Sequence, residues 1–277
     1  MQQYVKRHVA ANGVPSLPQI RNIIAVASGK GGVGKSTVAV NLALALQQLG
    51  LKIGLLDADV YGPSQPHMLG VSSKPLIHDD KSIAPVIAHG LQTMSIGYLI
   101  SPDTPAVWRG PMVSGALQQM LGSTRWNDLD ILLIDLPPGT GDIQLTLAQK
   151  VPVCGAVVVT TPQDVALLDV SKAISMFTRV KVPVFGVIEN MSTHTCTNCG
   201  HEDNIFGSDG GKKLAVEHQL NLLGSIPLDR KLRELSDSGN PSVSAQFIEI
   251  AEKVLTELSK VKRDLSVPMM NIVIEEA

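Results

Sequence analysis

Gly29-Lys30-Gly31-Gly32-Val33-Gly34-Lys35-Ser36-Thr37 decides the fold. The apolar run Ile23-Ile24-Ala25-Val26-Ala27 precedes it, and Val38-Ala39-Val40-Asn41-Leu42-Ala43-Leu44-Ala45-Leu46 follows with helical character. From Gly29 the stretch reads G-x-x-x-x-G-K-[ST], between a strand and a helix. That context marks a phosphate-binding loop. Its glycines let backbone N–H groups turn inward around phosphate oxygens, helped by the helix N-terminus. Lys35 is placed to reach the β- and γ-phosphates, and the Ser36 hydroxyl to sit on Mg²⁺. A bare glycine-rich turn is the alternative, and the flanking strand and helix argue against it.

Working outward, the chain alternates apolar strands with helices. The first strand is expected at about 22–28 and the first helix at about 36–49, closed by Gly50 as a C-terminal glycine. Lys52-Ile53-Gly54-Leu55-Leu56-Asp57 is a buried parallel strand by its apolar run. Residues 70–110 carry prolines at 75, 85, 102 and 105 and read as short strands and loops laid over the sheet. A helix at about 111–123 leads to the strand 130–135, a rigid Leu136-Pro137-Pro138-Gly139 turn and a helix to about 149. The strand 154–161, a helix at 163–179 and the strand 182–189 continue the series. A cysteine loop at 192–204, a helix at 208–218, a short strand at 222–226 and an amphipathic helix at 242–262 complete it. This alternation predicts an α/β fold with a doubly wound, mainly parallel sheet and helices on both faces. The expected organisation is an N-terminal arm (1–21), one nucleotide-binding domain (22–265) and a tail (266–277).

Three strand ends bring carboxylates toward the loop. Asp135 closes an apolar run and suits the Mg²⁺ side, through water. Asp57 and Asp59 form D-x-D, and residues two apart in an extended strand face the same way, so both can address one site. Nucleotide hydrolysis needs a metal to neutralise phosphate charge and a group to orient water. The D-x-D pair could instead cap a loop. Gly139 could offer its N–H to the γ-phosphate and so couple nucleotide state to conformation.

The chain has 277 residues, 44% hydrophobic and 17% charged, enough for a sizeable core. A net charge of −2 and 3% aromatic content argue against nucleic acid as a partner. No apolar run reaches the ~20 residues of a membrane span, and the N-terminus lacks a signal peptide's apolar core. The 242–262 helix has an apolar stripe at 243, 247, 250, 251, 254, 255 and 258 that suits covering the sheet. The acidic end Glu275-Glu276 and Pro268 argue against membrane docking. A cytoplasmic location is expected. Three cysteines in such a chain point to metal binding or catalysis rather than a disulfide scaffold.

Lys30 makes the loop K-G-G-x-G-K-[ST], which resembles the deviant Walker A of the MinD/ParA/nitrogenase-iron-protein class of P-loop ATPases. By that resemblance Lys30 reaches across a homodimer to the partner's nucleotide, although on sequence alone it could be a solvated loop lysine. The resemblance also implies that Asp59 positions or activates the attacking water, with Asp57 nearer the metal. It implies that Asn190 hydrogen-bonds the adenine and that Pro227 to Asp229 close the base pocket. A lone Asn at a strand end is otherwise a turn former.

Cys196-Thr197-Asn198-Cys199 admits four readings. A redox pair would sit at a helix start early in a βαβ unit, whereas this one sits in a polar loop. A zinc site could use Cys196, Cys199, His194 and His201, with cramped spacing. An Fe–S cluster wants four thiolates; Cys154 starts a buried strand, so two chains would be needed. Two unliganded thiols are the fourth. Trp108-Arg109, in a proline-flanked loop, reads as a surface loop.

S-G-K-G-G-V-G-K-S-T, L-D-A-D-V-Y-G-P-S, V-W-R-G-P-M, D-L-P-P-G-T-G-D and E-N-M-S with C-T-N-C-G together resemble the Mrp/ApbC family of iron–sulfur cluster carrier ATPases over about 20 to 265. The Y-G-P-S and P-P-G-T-G-D elements and the paired cysteines separate that family from MinD and ParA. Many bacterial members carry an extra N-terminal domain, where this chain has at most a short arm. The resemblance implies a homodimer using ATP and Mg²⁺ that shares a labile [4Fe–4S] cluster between subunits through Cys196 and Cys199. It implies transfer to apo iron–sulfur client proteins, with scaffold or donor proteins as further partners, and places Trp108-Arg109 near the switch regions. The rivals are a partition or positioning ATPase of ParA/MinD type and a zinc-stabilised regulatory ATPase.

Overall fold

Strand β1 (Ile20–Ser28) lies in the middle of an eight-stranded sheet and runs straight into the glycine-rich loop that starts at Gly29. A computed structural model describes residues 17–100 and 110–261, with Val5 and Arg7. The rest of the expected arm, the Trp108-Arg109 pair and the tail beyond 261 lie outside the described residues. In chain order the other strands are β2 (Ile53–Asp57), β3 (Val86–Ala88), β4 (Leu91–Ser95), β5 (Leu129–Asp135), β6 (Gly155–Thr160), β7 (Val184–Asn190), β8 (His194–Thr195), β9 (Glu202–Asp203) and β10 (Leu222–Ile226). The helices are α1 (Lys35–Gln48), α2 (Gln65–Met68), α3 (Gly110–Ser123), α4 (Asp142–Lys150), α5 (Asp164–Arg179), α6 (Gly210–Glu217), α7 (Arg230–Asp237) and α8 (Ala245–Lys260).

The sheet order is β10-β7-β6-β1-β5-β2-β4-β3. Every pairing in it is parallel except β3 on β4. The order reverses direction at β1, so the loop after β1 opens at the switch point where ligands bind in such folds. The expected α/β architecture is therefore the observed one.

Side-chain alternation along the central strands feeds two cores. Ile24 and Val26 join Ile131 and Leu133 on the face covered by α1 and α8. Ile23, Ala25 and Ala27 join Leu132 and Ile134 on the face covered by α3, α4 and α5. With both faces buried, the strands read as continuous apolar runs. The stripe of α8 packs as expected, with Phe247, Ile250, Ala251, Val254 and Leu258 buried.

Several local expectations are corrected. Residues 70–100 do not lie over the sheet: β3 and β4 lengthen its edge, β4 pairing with β2 from Gly54↔Gln92 to Asp57↔Ser95. The cysteine loop contains a small hairpin, His194↔Asp203 and Thr195↔Glu202. α7 was not expected, because its residues show no broad apolar stripe. It is capped by the Asp229 side chain, which accepts from Lys231 N, and carries the (i, i+4) pairs Arg230–Glu234 and Arg233–Asp237.

Candidate functional site

Because the central strands are parallel, β1, β2, β5, β6, β7 and β10 all end at one edge of the sheet. The loop Gly29–Gly34 leaves β1 there. Gly32 and Gly34 hold φ of 81° and 78°, the left-handed region that favours glycine. Space also demands Gly29: a Cβ there would fall 2.2 Å from the backbone carbon of Asp169 in α5. At Gly34 it would fall 2.2 Å from Asn190 Nδ2. Gly34 caps α1 with no side-chain hydrogen bond to the first turn, so that turn's N–H groups face the loop and the positive end of the helix points at it.

Register places the carboxylates. Asp57 of β2 pairs with Asp135 of β5, and Val26 of β1 sits level with Asp135 on the other side. Lys35 Nζ donates to Asp135 Oδ1 at 2.5 Å and to Ser36 Oγ at 3.3 Å. Both Lys35 and Asp135 are buried. Asp57 is wholly buried; it accepts from Asp59 N (3.1 Å), Gln65 N (3.3 Å) and Ser95 Oγ (2.9 Å). Burial, and then the Asp135 charge, push its carboxyl up to about 7 against those hydrogen bonds.

The expectation that Asp57 and Asp59 face the same way is corrected. The alternation rule needs a strand through Asp59, but β2 stops at Asp57 and the Asp59 N–H folds back onto the Asp57 carboxylate. Asp59 instead lines a cavity of about 510 Å³ with Tyr61, Gly62 and the Pro137–Gly141 turn. Burial raises its pKa, and the charge of Lys35 opposes that rise. It therefore still feels the phosphate-loop lysine.

Three other expected site residues hold partners within the chain. Gly139, in left-handed geometry at φ 98°, donates its N–H to Ser28 O at 3.0 Å, because the proline turn folds back on the end of β1. Gln144 fixes that turn by donating to Pro137 O and Pro138 O. Asn190 Nδ2 donates to Val33 O at 2.8 Å, bracing the glycine-rich loop from β7. Lys30 Nζ donates to Gln163 Oε1 at 3.4 Å, within its own chain. The remaining loop residues, Gly31, Val33 and Thr37, stay with the loop and the first turn of α1.

A second cluster is built six residues beyond Asn190. Cys196 is half-buried and Cys199 exposed, and both are free thiols. Cys196 N donates to His201 O and Gly200 N to Cys196 O, each at 2.9 Å. Gly200 turns the chain at φ 73°. The N–H groups of Cys199 and Asn198, and then the Cys199 thiol, hold the Cys196 thiol below its usual pKa. Cys154 behaves oppositely: it is buried, its Sγ donates to Ile23 O, and burial pushes it up to about 12. Cys196 opens onto a cavity of about 480 Å³ shared with Pro227, Leu228 and Asp229. Among the described residues, no group of three or more His, Cys, Asp or Glu side chains is arranged to hold a metal ion. The four-ligand zinc set suggested by spacing is therefore not assembled.

Sequence reasoning missed Gln65, Ser95 and Gln163, which pin the carboxylates and Lys30. No motif flags them; only burial and partners do.

A family model described as ParA, NUBPL iron-transfer P-loop NTPase, matches residues 19–262. The chain belongs to that family. An iron-sulfur cluster carrier protein of Haemophilus influenzae is 56% identical over 257 residues, 90% of this chain and 70% of its own length. A nucleotide-binding protein from Archaeoglobus fulgidus, solved in complex with ADP, is 40% identical, with a TM-score of 0.71 over 84% of this chain and 89% of that one. The cell division ATPase MinD of Pyrococcus furiosus has a TM-score of 0.64 over 85% of this chain and 98% of that one; at 23% identity it speaks for the fold alone. The family is one of P-loop NTPases, and the Gly29–Thr37 loop lies inside the matched segment. No helix of the described residues is long and apolar enough to cross a membrane.

Proposed function

We propose that the chain is an ATP-hydrolysing carrier of a [4Fe–4S] cluster, active as a homodimer, that delivers the cluster to apo-proteins in the cytoplasm. The observation that carries it is the thiol inventory. Cys196 is half-buried against a cavity and Cys199 is exposed, both on one hydrogen-bonded turn, while Cys154 is locked in the core. One chain thus offers two thiolates where a cluster wants four, and a second copy supplies the rest. The Haemophilus relative, an iron-sulfur cluster carrier protein, agrees with this reading, and the ADP complex of the Archaeoglobus neighbour agrees with nucleotide at the loop.

The nucleotide half follows from the same residues. The Gly29–Thr37 backbone cradles the phosphates, with Lys35 as their counter-charge. The oxygen donors Ser36, Asp57 and Asp135 suit a hard cation; Mg²⁺ bound there would neutralise phosphate charge. Asp57, level with Asp135 in the register of β2 and β5, would lie beside that ion as a carboxylate. Asp59, facing the cavity beside the Pro137–Gly141 turn, suits orientation of the attacking water. Lys30 would leave Gln163 to reach the partner's nucleotide. Gly139 would leave Ser28 to meet the γ-phosphate. The base would lie near Asn190 and the Pro227–Asp229 loop. Turnover is slow and tied to cluster loading or release.

Anaerobic reconstitution with iron and sulfide tests the carrier reading. The expected product is a dimer with one cluster per two chains and a broad band near about 400 nm, as thiolate-bound clusters give. The double variant Cys196→Ala, Cys199→Ala is expected to lose the band; a full band in that variant would falsify the shared site.

A further inference from the structure

Gln65 opens α2, just beyond the Tyr61-Gly62-Pro63-Ser64 turn, and its side chain is 1% exposed. Nε2 donates to Asp135 Oδ2 at 2.7 Å and to Ser36 O at 3.3 Å. Its backbone N–H donates to Asp57 Oδ2 at 3.3 Å. One residue therefore touches all three candidate magnesium residues. Its Oε1 is buried and accepts no hydrogen bond from any described residue. Turning the amide over would set that oxygen against the carboxylate of Asp135 and the carbonyl of Ser36, so the network fixes the orientation. A buried acceptor without a donor calls for a physical reason.

The oxygens of Asp135 are both occupied, Oδ1 by Lys35 and Oδ2 by Gln65. A carboxylate so held is suited to accept from metal-bound water rather than to bind the ion directly. Mg²⁺ dehydrates reluctantly and keeps several waters. We propose that Gln65 is a positioning residue for the magnesium of this site: its amide N–H clamps Asp135, and its Oε1 accepts a hydrogen bond from a water on the ion. This rests on the nucleotide reading of the Gly29–Thr37 loop. Outer-shell partners of this kind typically change metal affinity by about 10–100-fold when removed.

The test uses the full chain and a fluorescent ATP analogue, titrated with and without Mg²⁺. Gln65→Met keeps the volume and removes both the donor and the acceptor. The expected result is a Mg²⁺ midpoint raised by about tenfold or more, with analogue affinity in EDTA within about twofold of wild type. Gln65→Asn retains an amide on a shorter arm and is expected to fall between the two. An unmoved midpoint in Gln65→Met overturns the proposal. So does an equal loss with and without metal, which would make Gln65 merely structural. If the wild-type chain fails to bind the analogue, or Lys35→Ala binds it as well as wild type does, the nucleotide reading fails first and this proposal with it.

Discussion

Two cysteines of the same chain sit at opposite ends of thiol chemistry. The Cys196 sulfur is held toward thiolate by the N–H groups of Cys199 and Asn198, whereas Cys154 is buried and pushed up to about 12. The thiolate is the nucleophile. Iodoacetamide at neutral pH is therefore expected to label Cys196 first and Cys199 next, leaving Cys154 unlabelled until denaturant is added. Peptide mass analysis over time checks the order, and early labelling of Cys154 would contradict its burial. At this scale the sequence shows which residues are candidates for chemistry and not always how they stand. Lys35 is legible from the spacing within its glycine loop, and Cys196 and Cys199 from the spacing within theirs. Asp59 was placed on the face of Asp57 because nothing in D-A-D tells where a strand stops. Gln65 was invisible, since its partners lie at positions 36, 57 and 135 and meet it only in the folded chain.

The loop and α5 are packed backbone to backbone, and glycine is what permits it. A Cβ on Gly29 would lie 2.2 Å and 2.3 Å from main-chain atoms of Asp169 and Val170. No side-chain rotation can relieve that contact. Gly29→Ala is expected to destabilise the fold by more than about 1–3 kcal/mol, the usual cost of overpacking, as read by urea unfolding. Gly34→Ala combines strain at positive φ with displacement of the Asn190 amide, and is expected to abolish analogue binding as well. On the sheet face covered by α1 and α8, Phe247→Ala removes a fully buried ring from α8. That should cost about 3–5 kcal/mol without changing nucleotide affinity. The parallel strands were readable because burial on both faces makes them continuous apolar runs. The edge strands β3 and β4 are short and proline-flanked, so their sequence looks like loop. The exposed helix α7 is held by its Asp229 cap and its ion pairs, with little of the apolar period that announces a helix.

Across the whole molecule, the proposed nucleotide loop and the thiol turn are joined by a short run of hydrogen bonds. Asn190 braces Val33, Ser192 N donates to Ile226 O, and Leu228 N donates to Thr193 O, three residues before Cys196. The same β7 end that touches the phosphate loop therefore also carries the turn that would hold the cluster. If two copies share that cluster, anything that moves Asn190 or the β10 loop alters how the two turns meet. Such coupling is reciprocal. A nucleotide that changes cluster affinity by some factor must have its own affinity changed by the same factor. Couplings of this kind usually amount to about 1–3 kcal/mol, or about 5–150-fold. The expected outcome is that a non-hydrolysable ATP analogue binds the cluster-loaded dimer and the cluster-free protein with dissociation constants differing by at least about fivefold. Competition with an iron chelator should show the cluster's own affinity shifting by the same ratio when the analogue is present. Equal analogue affinity for the loaded and cluster-free forms would mean that the two sites share a chain without sharing free energy. Nucleotide would then act on the carrier by another route, through the rate of exchange between dimer and monomer.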